Sequence, residues 1–238
     1  MEHPEERLNA LLGSQGELVG SIAHDLKGLI NGIEGGMYFV SSGIKKGKPE
    51  RIGQGHEMMK RNLDRIRRTV AGILYYVKDR EINWRELDIQ EAVASVVKAL
   101  QDRADTLGVP MKIKAEQGHF DGDEFAVHSM LVNVVDYALE VCHRSLKVTP
   151  ASVVGSAGVS EGSALFDLRA EGFAMEEESR QLALAAYYAP RGVDRSHLAL
   201  FIANRICRNH RGSMEITVST DPPNTRMRIK VPCKREGG

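Results

Sequence analysis

The chain has 238 residues, enough for one or two domains with proper cores. Lys plus Arg and Asp plus Glu cancel at 32 each, so no overall field argues for a nucleic acid or a membrane surface as partner. Cys142, Cys207 and Cys233 are too few and too scattered for a disulfide framework or a zinc site. No uninterrupted apolar run reaches the roughly 18 residues of a spanning helix, and MEHPEERLNA lacks signal-peptide character, so a cytoplasmic protein is expected.

Residues 5–80 hold one proline, Pro49, inside a small basic break, SSGIKKGKPERIG. Before the break, Ile22, Leu26, Leu29, Ile33, Gly36 and Val40 advance by threes and fours. After it, Ile52, Met59, Leu63, Ile66, Val70, Ile73 and Val77 keep the same heptad rhythm. Two long helices joined by a short turn make an antiparallel hairpin. One hairpin cannot bury both seams, so two copies are expected to pair as a four-helix bundle, a homodimer.

After Arg80 the pattern changes. NWREL reads as a short strand, DIQEAVASVVKALQDRADTLG as an amphipathic helix stopped by Gly108 and Pro110, and MKIKAE as an alternating strand. DEFAVHSMLVNVVDYALEVCHRSL is a second, largely apolar helix, and ASVVGSAG and SALFDLRAEG look like paired strands. Helical segments follow at roughly 175–188 and 195–209. SMEITVST and TRMRIKVPC, on either side of DPPN, close the chain as a strand pair. The fold class is α+β: a helical hairpin over residues 1–82, then an α/β sandwich over 83–238, its sheet covered by helices on one face.

The stretch SIAHDLKGLINGIEGG, residues 21–36, joins a helical rhythm to glycines that cost about 1 kcal/mol each in a helix interior. On a wheel of about 100° per residue, the seam lies within about 40° of Ile22 while His24 stands about 200° away. Gly20, Gly28, Asn31 and Gly35 share that direction. A histidine in a strip nearly bare of side chains would let another protein's surface approach the helix backbone. The glycines would equally serve close helix packing, with His24 an ordinary surface residue.

The order of elements, a hairpin carrying His-Asp followed by an α+β domain, resembles the transmitter core of histidine kinases, over nearly the whole chain. AHDLKGLINGIEGG resembles that family's phosphoacceptor box in its His24, Asp25, Leu26 and Lys27. Gly28 and Leu29 stand where the family usually has a small polar residue and proline. The resemblance implies that His24 accepts the phosphoryl group, that Asp25 orients the ring or takes its proton, and that Lys27 offsets charge. It also implies that a response-regulator receiver domain docks on the strip of Gly20, Gly28, Asn31 and Gly35. A neutral imidazole nitrogen is a good nucleophile toward phosphorus, which agrees with these roles.

The second half resembles the family's ATPase domain with its nucleotide positions altered. Asp123 stands ten residues before Asn133, as in the asparagine box, but the second asparagine aligns with Tyr137. In the adenine loop the aspartate aligns with Ala170, the first glycine survives as Gly172, and the second is Ala174. Arg195, His197 and Ala199 replace the three glycines of the phosphate loop, while Leu198, Leu200, Ile202, Ile206, His210 and Gly212 keep the scaffold pattern. Side chains at those positions fill space where glycines let N–H groups reach phosphate. The resemblance implies that Asn133 and Gly172 are nucleotide-binding remnants, with Asp136 one position from the missing asparagine as a stand-in on magnesium. His56, His119, His128, His143 and His210 show no metal spacing, and Lys60, Arg61, Arg65, Arg67 and Arg68 read as the solvated face of the second helix. Three functions compete: phosphotransfer between receiver aspartates through His24 with no cofactor, an authentic ATP- and Mg2+-dependent histidine kinase, and a non-catalytic receiver-binding scaffold.

Overall fold

The computed structural model describes residues 4–77, 82–184 and 197–234, and the chain divides into two compact units, one holding the hairpin through Leu74 and one beginning at Tyr75. In the first, α1 (Pro4–Lys45) and α2 (Pro49–Val77) are antiparallel. Gly47 turns the chain at φ 60°, Lys48 N–H bonds Gly43 O at 2.8 Å, and Pro49 opens α2, where its missing N–H costs nothing.

Glycines bring the two helices together. A Cβ on Gly36 would stand 2.8 Å from Gly55 O, and one on Gly55 would stand 2.5 Å from Gly36 O and 2.8 Å from Val40 N. Gly43 meets Ile52 in the same way, and Gly32 meets the Asn62 side chain. The expected α1 seam therefore faces α2, and Gly36 is buried. A second line at heptad spacing, Ile30, Met37 and Ile44, is 48%, 56% and 65% exposed.

The second unit starts with β1 (Arg85–Asp88), followed by α3 (Ile89–Leu107). Asp88 caps α3 by accepting from Glu91 N–H at 2.9 Å, and Gly108 ends the helix at φ 65°. β2 (Met111–Ala115) and β3 (His119–Gly122) precede α4 (Glu124–Ser145), capped by Asp123. Then come β4 (Ser152–Ser160), β5 (Ser163–Glu171), α5 (Glu177–Leu184), α6 (His197–Asn209), β6 (Ser213–Thr220) and β7 (Pro223–Pro232). The main sheet runs β2-β4-β5-β7-β6, antiparallel except for β2 beside β4, and β1 pairs with β3 separately. Neither β3 nor the parallel pair was foreseeable from periodicity, because β3 is four residues long and β2 meets its neighbour only across a helix.

Alternation splits the sheet. Phe166, Leu168 and Ala170 of β5 and Met227, Ile229 and Val231 of β7 are buried, and α3, α4 and α6 pack against the sheet. α4 is long and apolar enough to cross a membrane by composition, although polar residues interrupt it, and 72% of its apolar window is buried within the unit. That burial is what a core helix requires.

The glycine contacts predict opposite signs for one kind of substitution. Nothing lies within 4 Å of a Cβ on Gly20, so Gly20→Ala raises stability by about 0.5–1 kcal/mol through helix propensity. Gly55→Ala lowers it by about 1–2 kcal/mol, because backbone atoms must move apart. Urea unfolding followed by far-ultraviolet circular dichroism distinguishes the two.

Candidate functional site

His24 and Asp25 lie within α1, and their side chains are outside the described residues. The positions around them are open: Gly20, Ala23, Lys27 and Asn31 are exposed, and Gly28 is half-buried. Gly35 departs from the expected strip, since it is half-buried and a Cβ there would touch Met58 Cε of α2 at 3.1 Å. Its physical role is helix contact, so the bare strip ends near Asn31. On α2, Lys60, Arg61 and Arg67 are exposed, with Arg67 3.7 Å from Asp64, while the side chains of Arg65 and Arg68 are outside the described residues.

In the second unit, the family's nucleotide positions can be followed one by one. Asn133 is 8% exposed on α4, and its Nδ2 has no hydrogen-bond partner. Tyr137, one turn on, is buried at 3%. Asp136 is not aimed at a metal: Arg103 of α3 donates to its Oδ1 and, at 2.7 Å, to Glu140 Oε2. A carboxylate held by a guanidinium gains more from that bond than from a distant cation.

Ala170 is fully buried on the inner face of β5, directly opposite Thr225 of β7. The Thr225 hydroxyl accepts from Met175 N–H at 2.9 Å and donates to Phe173 O at 3.0 Å. The loop after β5 is thus tied to β7, with Met175 buried beneath it. Gly172 takes φ 82°, and a Cβ there would collide with Pro150 O, so this glycine has a backbone reason to persist. α6 opens at His197, whose side chain, like the whole of Arg195, is outside the described residues; Ala199 is half-buried in its first turn. No group of three His, Cys, Asp or Glu able to hold a metal occurs among the described residues. A magnesium-bound nucleotide held in the family's manner therefore lacks its adenine carboxylate and its second amide here.

The sequence reading missed a polar latch at the start of this unit. His210, 2% exposed, donates from Nδ1 to Ile206 O at 2.8 Å and accepts at Nε2 from Asp123 N–H at 3.1 Å. The Trp84 ring meets His210 edge-on at 5.4 Å, and Asn83 N–H donates to Asp123 Oδ2 at 3.1 Å. Asp123 also caps α4 through Ala126 N–H. The cap was legible as Asp before an apolar run; its partner 87 residues away was not. Burial pushes the His210 imidazole below its ordinary value, against opposing pulls from Ile206 O and Asp123. His128, bonded to Ser95 Oγ at 2.8 Å, is lowered by burial too, with Glu124 opposing.

No family model matches the chain. A curated relative, the sensor histidine kinase ZraS of Klebsiella oxytoca, is 22% identical over 217 residues, which cover 89% of this chain and 44% of ZraS. The chain thus spans less than half of that relative's length. Among solved structures, the histidine kinase ThkA in complex with the response regulator protein TrrA is similar with TM-score 0.62 and 17% identity, over 97% of this chain and 64% of ThkA. A bacterial phosphotransferase is similar with TM-score 0.54 and 11% identity, over 92% of this chain and 96% of its own. The fold is that of the histidine kinase transmitter core, a helical hairpin followed by the mixed-sheet ATPase-type domain. By sequence, too, the chain is similar to the sensor histidine kinase ZraS.

The latch makes stability depend on pH. His210 and His128 titrate below the ordinary 6.5 when folded, so the unfolded chain binds protons more readily. Their contribution is complete above about pH 6.5 and is lost as pH falls through the folded-state values. The urea midpoint read by fluorescence of Trp84, the only tryptophan, drops between about pH 7 and pH 5, and the slope is shallower in His210→Gln.

Proposed function

We propose that this chain is a histidine phosphotransfer protein of two-component signalling, in which His24 receives a phosphoryl group from one receiver aspartate and passes it to another without ATP. The observation that carries the reading is the pairing of Ala170 with Thr225: a buried methyl stands at the adenine-selecting position, and the facing hydroxyl is already bonded to Phe173 and Met175. The ring of open positions around His24 supports the other half. The likeness to a bacterial phosphotransferase over nearly the full length of both chains agrees with it.

In the proposed step an imidazole nitrogen attacks phosphorus, an N–P bond forms, the aspartyl O–P bond breaks, and the receiver carboxylate leaves with the electron pair. The proton on the other ring nitrogen passes toward Asp25, and the exposed Lys27 offsets phosphoryl charge. The second transfer reverses these bond changes on another carboxylate. ThkA, recorded with a response regulator, supports a receiver as partner. The setting is taken as cytoplasmic, where Cys142, Cys207 and Cys233 remain thiols.

The reading includes a homodimer. Ile30, Met37 and Ile44 on α1 and Leu63 and Val70 on α2, each spaced by a heptad, leave an apolar seam that a second hairpin would cover. Sedimentation equilibrium is expected to give twice the chain mass, and Met37→Glu the mass of one chain.

A receiver domain labelled with radioactive acetyl phosphate is expected to label the wild-type chain in an acid-labile, alkali-stable form, and to leave a folded His24→Ala chain unlabelled. Label entering from ATP and magnesium instead would establish the kinase reading. Receiver binding with no label from either source would establish a scaffold.

A further inference from the structure

The sheet face opposite the helices carries an arrangement that phosphotransfer through His24 does not use. On β5 and β7, Arg169 stands directly across from Arg226, and Asp167 directly across from Arg228. Like charges directly opposed on one sheet face destabilise it. Two of the three guanidiniums have carboxylate partners: Arg226 binds both oxygens of Asp167, and Arg228 lies 3.8 Å from Asp167 Oδ2 and 3.7 Å from Glu215 Oε2. Arg169 has no carboxylate within ion-pair distance among the described residues and is exposed.

Arg169 borders a groove of about 620 Å³ at the end of the sheet, between Thr149 and Pro150 before β4, the end of β5 and the β6–β7 turn. Thr149, Thr217, Ser219 and Asn224 line it beside the two arginines. The hydroxyls of Thr149 and Thr217 make no hydrogen bond recorded among the described residues. The one carboxylate in the lining, Glu171, accepts from Ser152 Oγ at 2.8 Å. A guanidinium and several hydroxyl donors lining one groove suit a tetrahedral, multiply charged anion better than a planar monocarboxylate.

We propose that this groove binds a small soluble phosphorylated anion, with Arg169 as its principal ligand and Thr217 and Thr149 as hydrogen-bond donors. Arg169, Thr217 and Arg226 lie on the face away from α3, α4 and α6; Asn133 and Ala170 do not line the groove, and Gly172 of the altered adenine loop borders one end of it. A concave volume of this size admits a phosphate or pyrophosphate group with its substituent, which distinguishes the occupant from the plane of lipid headgroups.

The test is titration of the full chain with pyrophosphate at low ionic strength, read by isothermal calorimetry and by amide chemical shifts. Expected is saturable binding that moves the resonances of Thr149, Arg169, Thr217 and Ser219. Arg169→Gln weakens it by about tenfold or more with a melting temperature no lower than that of wild type, since the substitution removes a like charge opposite Arg226. Thr217→Val weakens it by a smaller factor. Absence of saturable binding, or equal binding by wild type and Arg169→Gln, overturns the proposal. So does Arg169-dependent sedimentation with phosphatidylglycerol vesicles in the absence of pyrophosphate binding, which would assign the arginines to a membrane surface.

Discussion

Across β5 and β7, Phe166 faces Ile229, Leu168 faces Met227 and Ala170 faces Thr225, all on one side of the sheet. Because strand side chains alternate strictly, this register simultaneously sends Asp167, Arg169, Arg226 and Arg228 to the other side. A slip of one residue would put guanidiniums under α4 and apolar groups in water. The pairing therefore governs both faces: the inner one closes over the position where a nucleotide's adenine would be selected, and the outer one pairs Arg226 and Arg228 with carboxylates while leaving Arg169 without one.

The closure on the inner face comes from small substitutions acting together. A methyl at Ala170 removes a carboxylate, and the Thr225 hydroxyl then spends both of its bonds on the loop backbone at Phe173 and Met175. Asp136, one position from Tyr137, is held by Arg103. Among Asn133, Asp136, Tyr137 and Thr225, Asn133 Nδ2 is the polar atom left without a hydrogen-bond partner. An isolated buried amide costs folding energy, and alone it offers neither charge nor a second ligand for a cation.

The hairpin shows a different use of small residues. Gly36 and Gly55 remove side chains where the two backbones approach, which draws α1 and α2 closer than alanines would permit. That approach leaves Ile30, Met37 and Ile44 outside the intrachain contact. The glycines of the His24 segment thus divide between two tasks: Gly32, Gly35 and Gly36 serve helix packing, while Gly20 stands open on the side where a docking protein could come.

Heptad spacing, strand alternation and the Asp88, Asp123 and Gly108 stop and start signals were legible without coordinates, because each depends on neighbours a few residues away. So was the family resemblance around His24, together with the altered residues at Tyr137, Ala170 and Ala174. The assignment of Gly35 to contact with Met58, the commitment of Asp136 to Arg103, the bonding of Thr225 to Phe173, and the latch of Trp84, Asp123 and His210 were not. These depend on which distant segments share a surface. Local periodicity determines which side of an element is apolar, whereas burial and hydrogen bonding between elements decide whether a given polar residue there binds its neighbour or remains free to bind something else.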